Sequence, residues 1–387
     1  MNPPLLTAEQ AVLGAVLLEP DQLAHLDWLA PEHFYRPVHQ ALFGALRKLR
    51  ADGHPTVGAD GLVPLSWVTD AVDEASLHVR GVTEVYAHRV ISACPRPEHA
   101  PVYGRMVLEG AIHRTVAQHA IRLHQAARAD AVQGEVEGVL RSADVLTGVL
   151  TDLARRWGTD PRPVEPTAAP ATGSATSPVR AAPVAEDERF LLAVLAEQPQ
   201  ALDEVVPWLR PADFADPAHG QVYRCLGALR HRGEPIDRIT LLWEAQRRGL
   251  LADGTLSGDQ IAGICDGVPG SSEWFADRVM RASLTRTAVA SARAVRALAE
   301  DETLGPGRLI NHALHALGPL DEVRARWATA NEPPKRPAPA PARGGPPPAR
   351  AHAARARSTT HPSPSPPARP GPVSPPPATR PPARGHL

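Results

Sequence analysis

Residues 29–55, LAPEHFYRPVHQALFGALRKLRADGHP, recur without a gap as residues 209–235, LRPADFADPAHGQVYRCLGALRHRGEP. The two segments share their prolines, an aromatic pair, a histidine and a glycine near the end. Matched positions include Trp28 and Trp208 just before the stretch, then Pro31 and Pro211, Phe34 and Phe214, Pro37 and Pro217, His39 and His219, Leu46 and Leu226, and Gly53 and Gly233. A gapless match of this length indicates that the chain contains one module twice.

The repeat extends beyond this stretch once small insertions are allowed. The further matches are Ala15-Val16-Leu17 with Ala193-Val194-Leu195, Arg114-Thr115 with Arg286-Thr287, and Arg156-Trp157 with Arg326-Trp327. Each copy has about 145 to 155 residues, the size of one ordinary domain. Two copies are too few for a repeat solenoid. We therefore predict two tandem globular domains, copy 1 (residues 1–157) and copy 2 (residues 185–330).

The 43 prolines are concentrated outside the two copies. Residues 158–184 are largely Pro, Ala, Thr, Ser and Val, a composition typical of an unpacked linker. Residues 331–387 form a Pro/Ala/Arg tail with almost no large apolar side chain, so burial cannot offset the entropy of ordering it. The sequence predicts that both segments are disordered.

The formal net charge of −1 conceals a basic tail. The tail has a single acid, Glu332, against Lys335 and eight arginines: Arg336, Arg343, Arg350, Arg355, Arg357, Arg369, Arg380 and Arg384. Three interpretations stay open: a solvated tail without a ligand, weak non-specific binding to nucleic acid or an acidic partner, and a PxxP ligand. A GC-rich genome would also favour arginine over lysine. The tail has no aromatic residue to stack on bases, which disfavours sequence-specific recognition of single strands.

The three cysteines fit neither a disulfide framework nor a metal knuckle, because their number is odd and no C-x-x-C occurs. No apolar run reaches the length of a membrane span, and the N-terminus lacks the layout of a secretory signal. The sequence therefore predicts a cytoplasmic protein without a membrane segment, and it suggests no cofactor.

The sequence predicts helices in both copies. Thr7 and Gln10 have capping-box spacing and predict a helix that begins near Thr7. A second helix follows Pro37, where apolar residues recur with helical period, and glycines at Gly53 and Gly233 end this helix in the two copies.

A long helix and a final helical segment close each copy. The long helices are predicted at about residues 102–129 and 273–300, and each forms an αα-hairpin with the segment that follows. Gly318-Pro319 predicts that the second hairpin is shorter or kinked. The fold class is all-α, two helical bundles each with a C-terminal hairpin whose exposed apolar stripe needs a partner.

These features resemble the N-terminal domain of DnaB-type replicative DNA helicases. The blocks that carry the resemblance are residues 9–14 (EQAVLG) and 34–39 (FYRPVH) in copy 1, and residues 233–241 (GEPIDRITL) and 268–279 (VPGSSEWFADRV) in copy 2. Copy 1 departs from the pattern by a Gly-rich insertion at residues 58–64. The resemblance implies a helical bundle with a hairpin, an oligomerisation collar and surfaces that receive primase or loader proteins.

Helicases of this family carry a motor domain with a G-x-x-x-x-G-K-[ST] phosphate loop. Neither Lys48 nor Lys335 stands in such a loop, and no catalytic constellation recurs between the copies. We therefore expect no catalytic activity from this chain by itself.

The candidate interaction residues are those that both copies share. They are Arg114, Arg286, Trp157 and Trp327. The alternatives are an ion pair or solvated face within one copy for the arginines, and a hairpin-closing core position for the tryptophans. His33, His39 and Glu32 are the nearest approach to a metal cluster, but a histidine bonded within the bundle explains them better.

The sequence favours a non-catalytic replication adaptor whose partner is a replicative helicase, primase or loader. Its two copies are expected to form an intramolecular pseudo-dimer, with a homo-oligomer as the alternative. The first alternative function is a nucleic-acid-binding accessory protein that acts through its basic tail. The second is a non-motor subunit of an ATP-dependent helicase assembly.

Overall fold

The computed structural model describes residues 3–57, 65–164, 181–265 and 269–331. Every regular element in this part of the chain is helical, and it contains no strand. The expected all-α fold is confirmed. The Gly-rich insertion at residues 58–64, most of the linker and the tail beyond residue 331 lie outside the described residues.

Copy 1 consists of four short helices followed by a long hairpin. Short 3₁₀ turns occupy Pro20–Leu26, Pro31–His33 and Pro97–His99. The helices are α1 (Pro3–Leu18), α2 (Pro37–Ala51), α3 (Leu65–Ser76), α4 (Glu84–Ser92), α5 (Ala100–Gln133) and α6 (Glu137–Trp157). Helices α5 and α6 form the hairpin that the sequence predicted.

Copy 2 repeats this order. Its 3₁₀ turns occupy Pro199–Ala201 and Pro211–Asp213. The helices are α7 (Ala181–Glu197), α8 (Leu202–Val205), α9 (Pro217–Arg232), α10 (Arg238–Arg247), α11 (Gly258–Cys265), α12 (Ser272–Glu300) and α13 (Pro306–Asn331). Helices α12 and α13 form the second hairpin.

Proline and glycine mark the ends of the repeated helix as expected. Helices α2 and α9 both begin at a proline, where the missing N–H costs nothing because it would be unpaired. Gly233 caps α9 with φ of 69°, a left-handed conformation that glycine adopts without strain. The prediction for α1 was too short, since the helix begins at Pro3 rather than near Thr7. Prolines are tolerated in a first helical turn for the same reason as in α2.

Of the two alternatives for the second hairpin, a shortened or a kinked one, the shortening was wrong. Helix α13 runs from Pro306 to Asn331 with Pro319 inside it. Proline removes one backbone hydrogen bond and crowds the preceding turn. On either side of it, Leu317 and Leu320 are buried in the core, so packing holds the helix together through the break.

Two hydrophobic cores organise the molecule. One lies inside the bundle of copy 1 and includes Phe34, Phe43 and Trp67. The other fills the bundle of copy 2 and continues between the two hairpins, where Leu123 and Leu146 of copy 1 share it with Val295 and Leu317 of copy 2. The apolar stripe of each hairpin is thus covered by the other hairpin, and the two copies form one compact unit.

The hairpins pack antiparallel. At one end, Arg281 Nη1 near the start of α12 donates to the carbonyl of Gly134 at the tip of the first hairpin, 3.2 Å away. At the other end, His113 of α5 contacts the tip of the second hairpin. An ion pair between Arg324 and Asp144 joins α13 to α6. The contact between the two copies is the intramolecular pairing that the tandem repeat led us to expect.

The described ends of the predicted linker, residues 158–184, are ordered. Gly158 ends α6 with φ of 73°. The backbone N–H of Arg162 donates to Asn311 Oδ1 (2.9 Å), and that of Val164 donates to the Asn311 carbonyl (3.1 Å). At the other end, α7 already begins at Ala181. The disorder expected for the rest of the linker and for residues 331–387 lies outside the described residues, apart from Asn331, which ends α13.

Candidate protein-interaction surfaces

The corner before α9 in copy 2 is tied to both helices of the hairpin through Asp213. This carboxylate is buried and forms an ion pair with Arg326 of α13. Its Oδ1 also accepts hydrogen bonds from Arg326 Nη2 (2.9 Å) and from Ser283 Oγ of α12 (2.8 Å). The backbone N–H of Arg210 donates to Oδ2 (2.7 Å). Such a network compensates the cost of burying the charge.

Copy 1 has His33 at the matching corner. His33 Nδ1 accepts a hydrogen bond from the backbone N–H of Ala30 (3.0 Å), which requires that this nitrogen is unprotonated. Burial lowers the pKa of His33, and the positive charges of Arg156 and Arg114 add to this effect, while Glu32 opposes it. Arg156, the counterpart of Arg326, instead pairs with Asp152 at the exposed surface. The corner of copy 1 therefore lacks an ion pair to α6.

The two arginines that the copies share hold the backbone of these corners. Arg114 Nη2 donates to the carbonyl of His33 (2.6 Å), and Arg286 Nη2 donates to the carbonyl of Asp213 (2.8 Å). The guanidinium of Arg114 also lies over the Tyr35 ring. Burial lowers the pKa of both arginines. These contacts lie within one copy and are hydrogen bonds to backbone carbonyls, neither the ion pair nor the solvated face that the sequence offered, and a role of the two arginines in partner binding stays a prediction.

A buried acid and histidine pair recurs in the two bundles. His39 Nδ1 lies 2.6 Å from Glu9 Oε2, and its Nε2 lies 2.6 Å from the Tyr86 hydroxyl. In copy 2, His219 Nδ1 lies 2.9 Å from Glu188 Oε2. His39 is thus bonded within the bundle, as the sequence favoured, and no group of metal-ligating side chains occurs among the described residues.

The same carboxylates hold the turn that leads into the next helix. Glu9 accepts from the backbone N–H of Tyr35, and Glu188 accepts from the N–H groups of Ala215 and Asp216. This shared role makes Glu9 and Glu188 equivalent positions. The sequence-based pairing of residues 15–17 with 193–195 is therefore shifted by one residue in the first helix.

The two tryptophans at the hairpin ends are not equivalent in burial. Trp327 is buried in the core, and Arg281 lies over its ring at 5.0 Å. Trp157 is partly buried, and Arg105 lies over it at 5.2 Å. In each case the arginine over the ring comes from the other helix of the same hairpin, so both tryptophans close their hairpin, and a role as binding anchors stays a prediction.

The surface between the copies includes an unusual histidine. His113 Nδ1 lies 3.0 Å from the carbonyl oxygen of Ala299, and Nε2 lies 3.0 Å from that of Leu304. Carbonyl oxygens only accept, so a ring nitrogen of His113 that carries a proton can donate to the carbonyl that it faces. Ala299 lies in the last turn of α12, where carbonyls lack helical partners.

Each bundle has a shallow groove on its outer face. The groove of copy 1, about 420 Å³, lies beside α2 and α3 and contains a 2.8 Å ion pair between Lys48 and Glu74. The groove of copy 2, about 270 Å³, lies beside α9 and α10. These faces are left open when the hairpins pair.

Several of these residues escaped the sequence analysis. Glu9 stood in a quoted motif without a role, and Glu188, Asp213 and His113 were not singled out. The repeat held a signal for the first pair, because a glutamate precedes the shared histidine at nearly the same distance in both copies. Nothing in the sequence places His113 against the other hairpin. The tail arginines lie outside the described residues.

The structure and the sequence define a tandem pair of all-helical modules, each a bundle with a C-terminal hairpin, and comparison with known proteins identifies the family. The family model described as the DnaB-like helicase N terminal domain matches residues 1–109 and 182–274, more than half of the chain. The chain belongs to this family, and both copies contribute to the match. Among the described residues, no helix is both long and apolar enough to cross a membrane.

Similar proteins include replicative DNA helicases. Replicative DNA helicase DnaB of Mycobacterium leprae (strain TN) is 34% identical over 139 residues, which cover 36% of this chain and 22% of that protein. The DnaB helicase of Geobacillus stearothermophilus is 34% identical over 126 residues, which cover 32% and 26%. The chain therefore matches about a quarter of the length of these relatives. The crystal structure of the N-terminal domain of DnaB helicase from Mycobacterium tuberculosis is 31% identical, covers 35% of this chain and 92% of that chain, and superposes with a TM-score of 0.31.

Proposed function

We propose that this chain is a non-catalytic, cytoplasmic adaptor of DNA replication that binds a replicative helicase, primase or helicase loader. The observation that carries the proposal is the pairing of two helicase-collar copies inside one chain. The family model matches the N-terminal domain of helicases in both copies, and the relatives are replicative helicases. The adaptor would use the fold of a helicase collar without supplying a motor.

The intramolecular pairing supports an adaptor over a building block of a larger ring. The two hairpins bury their apolar stripes against each other, with Leu123, Leu146 and Leu317 fully or almost fully buried. Covalent linkage raises the effective concentration of one copy for the other. The outer faces of the bundles would then receive the partner.

The first test is affinity purification of the tagged full-length protein from its native host, with nuclease treatment and mass spectrometry. We expect recovery of the replicative helicase, primase or loader after nuclease treatment. Reconstitution of the recovered pair from purified components then establishes direct binding, and an ATPase assay with and without the partner separates an adaptor from an enzyme. Absence of every replication protein from the purified material would refute the proposal.

A second candidate, DNA binding by the tail, rests on its nine basic residues against one acid. Deletion of residues 332–387 discriminates the two functions. Loss of DNA affinity with retention of the protein partner assigns DNA binding to the tail, whereas loss of the partner assigns the adaptor surface to the tail instead. DNA affinity of this kind should fall steeply with salt.

A further inference from the structure

Helix α10 of copy 2 presents two large apolar side chains to solvent. Ile239 is 78% exposed and Trp243 is 61% exposed, and they lie one helical turn apart on the same face. Tryptophan is highly buried on average, and it is enriched among residues that dominate binding energy at interfaces. An exposed tryptophan in a well-formed helix therefore indicates a contact surface.

A groove runs beside these two side chains. Its walls are the end of α9 and the exposed side of α10, and its lining includes Leu229 and Leu242. The groove encloses about 270 Å³, enough to accept one or two large apolar side chains. Ile239 and Trp243 thus form the rim of an apolar depression.

The acidic residues of the groove are already neutralised. Glu244 is buried and pairs with Arg232 (2.8 Å) and Arg248 (2.7 Å). Glu234 pairs with Arg232 as well (2.9 Å). These carboxylates are therefore not available to attract a basic ligand.

The charge beside the apolar pair is positive. Arg247, the last residue of α10, is exposed and lies one turn beyond Trp243 on the same side of the helix. After the hydrogen bond from Arg232, the charge of Arg247 also helps to lower the pKa of Glu234. The three arginines of this cluster, Arg232, Arg247 and Arg248, exceed its two glutamates by one charge, so an approaching partner meets an apolar pair beside positive charge, which favours a partner that carries carboxylates.

Copy 1 lacks this combination. Helix α3 of copy 1 corresponds to α10 when the buried residues Trp67 and Ala71 are aligned with the buried residues Leu241 and Ala245. Leu65, 72% exposed, then matches Ile239. Thr69 stands where copy 2 has Trp243, and Asp73 stands where copy 2 has Arg247.

We propose that the α10 face, formed by Ile239, Trp243 and Arg247, binds an acidic amphipathic helix of a partner protein. Apolar side chains one turn apart on the partner pack against Trp243 and enter the groove, and an Asp or Glu side chain of the partner pairs with Arg247. This inference rests on the proposed adaptor function, because that function makes the ligand a protein.

The test is selection of helical-length random peptides, about four turns long, on the immobilised full-length protein. We expect enrichment of peptides that combine acidic residues with two large apolar residues one turn apart. Trp243→Thr, which installs the copy 1 residue, should weaken their binding at least about tenfold. Arg247→Asp should weaken it as well, and salt should do so in the wild type.

Matched controls keep the result interpretable. Leu65→Ser removes an equally exposed apolar side chain from the equivalent position of copy 1 and should leave peptide affinity unchanged. Trp243 is 61% exposed and lies outside the buried core, so circular dichroism of Trp243→Thr should match the wild type.

Three outcomes would overturn the proposal. One is enrichment of basic or proline-rich peptides, the second is affinity that survives Trp243→Thr, and the third is failure to enrich any peptide. Oligo-dT binding that is lost in Trp243→Thr would reassign the face to base stacking. A replication partner that co-purifies equally with Trp243→Thr would leave the proposed function standing and refute this surface alone.

Discussion

The turn Pro31–His33 of copy 1 and the turn Pro211–Asp213 of copy 2 occupy the same place in the fold, and an equivalent arginine holds the last carbonyl of each. The side chains of His33 and Asp213, the last residues of these turns, make different contacts. Asp213 forms a buried ion pair with Arg326 of α13, whereas His33 is uncharged at the nitrogen that accepts from Ala30. The comparison shows that one backbone can be stabilised by different electrostatics, and that only copy 2 ties both hairpin helices to its corner.

The largest effect is expected from Asp213→Asn. This change leaves Arg326, whose side chain is mostly buried, without a counter-charge, and breaking a buried pair costs about 3–5 kcal/mol. Urea unfolding measures the loss, and hydrogen exchange of α9 and α13 should locate it in copy 2. The matched variant His33→Asn should cost less than about 1 kcal/mol. Equal losses of stability in the two variants would show that the corners of copy 1 and copy 2 do not differ in electrostatic stabilisation.

The next comparison concerns the buried glutamates. Glu9→Gln should destabilise copy 1 by about 2–3 kcal/mol, because hydrogen bonds to a charged group in the core are lost. Glu188→Gln should cost about 1–2 kcal/mol, since His219 is partly exposed and no tyrosine extends its pair. Hydrogen exchange of α2 and α9 measures both. A larger loss from Glu188→Gln would contradict the view that the Glu9, His39 and Tyr86 chain is the stronger of the two.

The contact between copies can be broken at one side chain. His113→Ala removes the imidazole contacts to the carbonyls of Ala299 and Leu304 and should cost about 1–3 kcal/mol. Faster hydrogen exchange is expected in residues 299–304. His119→Ala is the control, because His119 lies on the same helix and has no hydrogen bond in the described part of the chain. Identical exchange in the two variants would show that His113 does not hold the hairpins together.

The smallest expected effect is the pH dependence of the copy 1 corner. Burial, with help from Arg156 and Arg114, lowers the pKa of His33 below its usual 6.5. As the pH falls below about 6.5, the unfolded chain binds this proton before the folded chain does. Folding stability is therefore complete above about pH 6.5 and is lost as the pH falls from there to the lowered pKa of the folded chain. Urea unfolding at about pH 7.5 and about pH 5.5 measures the loss. His33→Asn should reduce it, and an unchanged pH dependence would count against the assignment.

Much of the fold follows from local sequence. Pro37 and Pro217 mark the starts of α2 and α9, and the long helices predicted at about residues 102–129 and 273–300 correspond to α5 and α12. Local rules failed where packing opposed them. Pro319 predicts a break, yet α13 continues because its apolar residues are buried on both sides.

The candidate site was less predictable. Arg114 and Arg286 became candidates because both copies contain them. A shared position shows that both copies use the residue, but it does not show what the residue contacts. Whether it contacts a partner or its own backbone depends on distances between helices that are far apart in sequence. The α10 face shows the opposite problem. Copy 1 has no counterpart of Trp243, so a search for residues that both copies share could not find this surface.

The sequence by itself determined the tandem repeat, the helical class and the ends of the repeated helix, because periodicity, proline and glycine act over one or two turns of chain. The tertiary structure decided which charges are buried and which surfaces remain open. Trp157 and Trp327 stand at the same position of the repeat, yet only Trp327 is fully covered. Burial is set by the neighbouring helices that cover a side chain, and these are chosen by long-range packing rather than by adjacent residues.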